Sequence, residues 1–287
     1  MTRVAVFGHS GMLGRAVCKE LEESGFDLVT IGRLGSDIFF DVGKTNFLDL
    51  KLGDVDYIVN CVGLISHLID DESASDMMSA ISINALFPHE LASYASLANK
   101  RMIQIATDCV YSGVQGSYVE SSKHDASDVY GVTKSLGEVR SESVMNIRAS
   151  IIGREQRGFK SLLEWVLQQP HGSEISGYTD RFWNGVTTTA FARVAAGIIG
   201  EETFRPGLQH LVPKDVVTKA ELVSLIASSF GRGDLRIRKE PSGVKKDLTL
   251  ATQNPEFNSR LWVGGKYSQI PTIQQMISEL PSSEGNI

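Results

Sequence analysis

The chain has 287 residues, of which 42% are hydrophobic and 22% charged, with a formal charge of −6. That balance suits a globular protein with a full core, as one large α/β unit or one and a half to two domains, and not a disordered chain. An acidic chain also lacks the basic surface that nucleic-acid binding requires.

Three cysteines with no C-x-x-C pair suit free thiols in a reducing compartment. The N-terminal M-T-R-V-A-V-F-G-H-S-G has too short an apolar run for a secretory signal. No stretch approaches the roughly 18 to 20 apolar residues of a membrane helix. The expectation is a soluble, cytoplasmic protein with neither nucleic-acid nor membrane partners. In chain order, Val4-Ala5-Val6-Phe7 reads as a buried strand ending at Gly8. Leu13, Val17 and Leu21 then recur at helical spacing, with Gly25 as a stop. Further strands are predicted at Leu28 to Ile31, Ile38 to Phe40, Tyr57 to Cys61 and Met102 to Ile105, with a long helix from about Ser75 to Asn99. Such alternation predicts right-handed crossovers and a parallel sheet covered on both faces, with ligands at the carboxyl ends of its strands. Helices are expected again over Ser161 to Gln168 and Ala190 to Ile199. Thr218-Lys219-Ala220-Glu221 reads as a capping box opening a helix to Phe230, with Gly231 as its stop. Ile273, Met276, Ile277 and Leu280 mark a last amphipathic helix, and 281–287 is expected to fray.

Two motifs carry chemistry. Gly8-His9-Ser10-Gly11-Met12-Leu13-Gly14 spells G-x-x-G-x-x-G between the first strand and the first helix. Glycines there allow a tight turn and close backbone approach to a pyrophosphate, and the helix start offers free N–H groups. Tyr130 and Lys134 form Y-x-x-x-K; among seven tyrosines only Tyr130 has a lysine four residues on. On a helix both side chains share a face. An ammonium beside the phenol is expected to lower its pKa from about 10, so that it exchanges a proton near neutrality. Thr107 lies where the fifth strand ends.

Together these motifs resemble the extended short-chain dehydrogenase/reductases. Ile105-Ala106-Thr107-Asp108-Cys109-Val110-Tyr111-Ser112-Gly113, Tyr118-Val119-Glu120 and Asp128 to Glu138 are similar to the corresponding stretches of dTDP-4-dehydrorhamnose reductases. The resemblance runs over about residues 3 to 154. It implies a Rossmann-type doubly wound parallel sheet over 1–154, with 184–204 returning to it. A smaller substrate-binding region would comprise 155–183 and 205–287. It also implies a catalytic triad of Thr107, Tyr130 and Lys134. The cofactor would rest on Gly8, Ser10, Gly11, Met12, Leu13 and Gly14, with Asn60, Cys61, Val62, Gly63 and Asn84 beside it and Tyr130 and Lys134 at its reactive end. Arg33, ending the second strand where an acidic residue would take a ribose 2′-OH, favours NADPH over NADH, although NADH also fits. Asp41 matches the position that meets the adenine amine.

The resemblance implies a hydride transfer to the keto group of a nucleotide-linked 4-keto-6-deoxy sugar, in deoxysugar or surface-polysaccharide synthesis. Thr107, Asp108, Cys109, Arg154, Trp183 and Asn184 are candidates to contact that substrate. After Arg148 the family's R-T-S-W-V-Y becomes Arg148-Ala149-Ser150-Ile151-Ile152-Gly153, and the G-x-P-T loop becomes Asn184-Gly185-Val186-Thr187, without the proline. These departures point to a different sugar from dTDP-4-dehydrorhamnose. His67 and His124 lack partners at ligand spacing and read as solvated, so no metal is expected. Cys109 reads as a small packed hydrophobe. An epimerase of the same superfamily and a non-catalytic NAD(P)-binding regulatory subunit, as in methionine adenosyltransferase, are the competing readings. A homodimer is the expected assembly.

Overall fold

The computed structural model describes residues 1–155 and 158–281; most of the tail expected to fray, 282–287, lies outside them. Strands β1 (Arg3–Phe7), β2 (Asp27–Gly32), β3 (Ile38–Phe39), β4 (Tyr57–Asn60), β5 (Arg101–Ala106) and β6 (Val144–Arg148) form a parallel sheet with the strand Gly207–His210. The order is Gly207–His210, β6, β5, β4, β1, β2, β3. The resemblance places 207–210 in the substrate-binding region, whereas the strand Gly207–His210 closes the edge of the main sheet, paired to β6 from Gly207 opposite Met145 to His210 opposite Arg148.

Strand periodicity explains the two cores. Val4 and Val6 enter one hydrophobic cluster with the helix Thr188–Gly200. Ala5 and Phe7 enter the other with Phe87, Leu91 and Ala95. A strand covered on both faces needs apolar residues at every position, and β1 and β4 have them almost throughout. Helix α1 (Met12–Glu23) packs against Thr188–Gly200 on the first face, and α3 (Phe87–Leu97) lies on β5 from the second.

The predicted helix over 75–99 is one path in three parts. α2 (Ala74–Ala80) runs into a π-helical turn, Ile81–Leu86, and then α3. The chain reverses direction across the sheet between β1 and β4. Phe7 pairs with Ile31 on one side and Asn60 on the other, so Gly8 opens the crevice at that switch point. Beyond it, the helix Lys219–Ser229 packs against Leu162–Leu167, Ile273–Ser278 and the parallel pair Glu174–Tyr178 and Arg236–Glu240. Its capping box is as predicted: Thr218 Oγ1 accepts the Glu221 N–H at 3.2 Å, and Glu221 Oε2 accepts the Thr218 N–H at 2.7 Å.

Candidate active site

The glycine loop is built for close approach. The Gly11 N–H donates to Gly8 O at 3.0 Å. A Cβ on Gly14 would sit 2.1 Å from Gly8 O, so only glycine lets α1 start against the end of β1. Gly11 is the N-cap of α1 and supplies no side-chain cap, so the first amides of the helix are left facing the crevice. His9 Nδ1 is buried without a hydrogen-bond partner against Gly32, at the end of β2. The exposed Arg33 follows at once. Free helix amides, an orphaned imidazole nitrogen and an arginine in this line fit a dinucleotide lying across the crevice. Asp41 is half-buried and ion-paired to Lys44 at 3.0 Å.

Several expected cofactor residues hold the walls. Asn60 Nδ2 donates to Gln104 Oε1 at 2.8 Å, and its Oδ1 accepts the Val62 N–H at 3.1 Å, which fixes the turn Cys61-Val62-Gly63. Asn84, in the π-helical turn, accepts the Leu64 N–H and donates to Leu64 O, both at 2.8 Å, and reaches Thr133 Oγ1 at 3.4 Å. A π turn inserts one residue per turn and here aims Asn84 at the loop after β4.

Helix α4 (Val129–Leu136) starts from Asp128, whose carboxylate accepts the Gly131 N–H at 2.8 Å. A Cβ on Gly131 would lie 2.4 Å from Cys109 O, so glycine after Tyr130 allows α4 to press onto the turn that follows β5. This brings the Tyr130 hydroxyl close to Thr107. Thr107 Oγ1 also accepts the Cys109 N–H and donates to Asp108 Oδ1, both at 3.2 Å.

The expected electrostatics need correction. The Lys134 ammonium donates to Ile105 O at 3.0 Å, and burial brings its pKa down to about 8. Burial, reinforced by Cys109, Asp108 and Asp128, raises the Tyr130 phenol well above its usual range, despite the opposing pull of nearby Thr107. The protein's own groups therefore keep Tyr130 protonated instead of poising a phenolate. That is the form needed to give a proton. Burial likewise pushes the Cys109 thiol up to about 12, and its Sγ donates to Asp108 Oδ1 at 3.6 Å, so it is no nucleophile. Asp108 is itself buried and its carboxyl is raised by that burial.

Of the remaining expected substrate residues, Asn184 is committed elsewhere. Its Nδ2 donates to Leu250 O at 2.7 Å and its Oδ1 accepts the Leu250 N–H at 2.8 Å, so a second peptide occupies the whole amide. Trp183 is buried and donates from Nε1 to Ser150 Oγ at 2.8 Å. Arg154 pairs with Glu164 at 2.7 Å and covers the Phe230 ring.

The reading of His124 as solvated is also overturned. Arg148, fully buried, donates to Glu138 through Nε and Nη2, to Tyr111 and His210 through Nη1 and to His124 through Nη2. A guanidinium only donates, so both imidazoles accept at Nε2 and carry their protons on Nδ1. Those protons go to Ser135 Oγ at 2.6 Å and Ala251 O at 2.7 Å. The partners are far apart in sequence, which is why spacing did not expose them. His67 is exposed, as read. Among the described residues no group of three or more metal-ligating side chains occurs, and no helix is long and apolar enough to cross a membrane.

A glycine loop at a switch point, facing a Thr–Tyr–Lys set, defines an extended short-chain dehydrogenase/reductase. The chain belongs to the RmlD substrate binding domain family, which matches residues 2–261. It is 31% identical over 137 residues to the dTDP-4-dehydrorhamnose reductase of Streptomyces griseus, covering 47% of this chain and 43% of that one. It is 23% identical over 258 residues to methionine adenosyltransferase 2 subunit beta of Rattus norvegicus, covering 82% and 74%. In structure it resembles dTDP-4-dehydrorhamnose reductase from Bacillus anthracis in complex with NADP, with a TM-score of 0.77, 17% identity and coverage of 98% and 99%.

Proposed function

We propose that the protein reduces the keto group of a nucleotide-linked sugar with NADPH. The observation that carries this reading is the meeting of Thr107, Tyr130 and Lys134 at the carboxyl end of β5, beside a glycine loop whose helix amides face the same crevice. The loop 8–14 would hold the pyrophosphate, and Arg33 a ribose 2′-phosphate. Bound NADPH supplies the hydride. Thr107 Oγ1, its proton turned from Asp108, donates to the carbonyl oxygen, where negative charge grows. Tyr130, kept protonated by burial, gives its phenolic proton to that oxygen. Lys134, with a pKa of about 8 and held to Ile105 O at 3.0 Å, would offer positive charge as the proton leaves.

The likeness to a methionine adenosyltransferase subunit sustains a second reading, a regulatory subunit that binds NAD(P) without turnover. The two readings separate in one assay. NADPH absorbance is followed with dTDP-, UDP- and GDP-4-keto-6-deoxy sugars, each made in situ by its dehydratase. The reductase reading expects consumption with one of them, falling roughly 10²- to 10⁴-fold in Tyr130→Phe while NADPH affinity is unchanged. Tight NADPH binding with no consumption on any sugar, or full activity in Tyr130→Phe, overturns the assignment.

A further inference from the structure

Lys219 is the first residue of its helix, where a positive charge opposes the helix dipole. Its side chain does not turn out to water. The ammonium lies 5.6 Å from the centre of the Trp183 ring, near enough to Asp108, Cys109 and Arg181 to feel their charge. Burial and Arg181 push its pKa down, against the pull of Asp108 and Cys109.

Among the described residues it makes no hydrogen bond, and no carboxylate comes within the 4.0 Å of an ion pair. Asp108, only 3% exposed, accepts from Thr107 and Cys109 at Oδ1, and no cation lies within ion-pair distance of it. Lys219 and Asp108 are close enough to interact electrostatically yet do not pair, and Asp108 adjoins Thr107. An anion placed there would gain from Lys219 and be opposed by Asp108. A group that both accepts and donates satisfies both sides.

We propose that Lys219 is a substrate-recognition residue. It donates to a hydroxyl of the substrate's sugar ring, and that hydroxyl donates in turn to Asp108, which sets the ring against Thr107 and Tyr130. This inference rests on the nucleotide-sugar reading above and narrows it, because it places the sugar between these two side chains. The Trp183 face beneath the Lys219 chain then acts as a floor that holds the ammonium up, and not as a direct sugar contact.

The test uses the NADPH-loaded enzyme and calorimetric titration with dTDP-glucose, UDP-glucose, dTDP and UDP, none of which carries a keto group to be turned over. The wild type is expected to bind one nucleotide-glucose more tightly than its bare nucleotide. Lys219→Met is expected to remove that advantage, weakening the nucleotide-glucose 10- to 30-fold. The bare nucleotide and NADPH would bind as before, and Lys219→Arg would restore most of the loss. Unchanged nucleotide-glucose affinity in Lys219→Met overturns the inference, as does an equal loss for the bare nucleotide, which would make Lys219 a diphosphate contact. If the wild type gains nothing from the glucose, the Lys219 assignment fails while the reductase assay still decides the function. If no nucleotide binds at all, both readings fall together.

Discussion

Arg148 is withdrawn from bulk water and Lys219 partly so, and the fold treats them in opposite ways. Arg148 is fully buried, and its guanidinium donates to a carboxylate, a phenol and two imidazoles. The network ties α4, which carries Tyr130 and Lys134, to β6, to the turn after Thr107 and to the edge strand that ends in His210. Lys219 is half-buried, with the Trp183 ring beside its ammonium and no hydrogen bond. A cation whose donors are all used can only hold structure. One whose donors are unused, near a carboxyl that no cation pairs, keeps its bonding capacity for something else.

The largest effect is expected where saturation is broken. Arg148→Met leaves Glu138, Tyr111, His124 and His210 without their donor and should cost about 3–5 kcal/mol in urea unfolding. The loss should shrink as pH falls through the ordinary histidine range. His124 Nε2, 3.7 Å from Glu138 Oε2, would then accept a proton that the guanidinium now repels. A loss below 1 kcal/mol would mean that α4 is held by packing alone.

Next comes the pH dependence of the intact network. Burial, with Arg148 beside it, lowers the His210 pKa to about 4. The unfolded chain binds this proton near pH 6.5, so between those values the unfolded state holds more protons than the folded one. The stability tied to a neutral His210 is therefore complete above about pH 6.5 and lost as pH falls towards 4. It amounts to about 3 kcal/mol. Urea midpoints measured from pH 7 to pH 4 should fall more steeply for the wild type than for His210→Gln. Parallel profiles would remove His210 from the account.

The same contrast explains what the sequence made legible. Strands β1, β4 and β5 were readable because a sheet covered on both faces demands unbroken apolar runs, and glycine marks where they stop. The edge strand Gly207–His210 was missed because its buried residues are the polar Gln209 and His210, and the partners of His210 are distant ones that no local pattern signals. The helix Pro255–Gly264 was also missed, although Asn254-Pro255 is a recognisable start. Tyr130 and Lys134 were found through their spacing on one helix, whereas their charge states depend on burial and on Ile105, Cys109 and Asp108, which the fold alone brings together. Lys219 was visible only as part of a capping box. The signal that might have raised it was a lysine at the first position of a helix, set against the dipole.

That misplacement yields the smallest and most pointed expectation. If Lys219 is kept for a ligand, it adds nothing to folding in the ligand-free protein. Removing a cation from a helix N-terminus relieves an unfavourable dipole interaction of a few tenths of a kcal/mol, and Met keeps the chain's packing against Trp183. Lys219→Met should therefore leave the ligand-free protein as stable as the wild type or up to about 0.5 kcal/mol more stable in urea. Arg148→Met moves the same observable several kcal/mol in the other direction. A clear loss of stability in Lys219→Met, above about 1 kcal/mol, would show that its ammonium already has a structural task and would erase the distinction between the two cations.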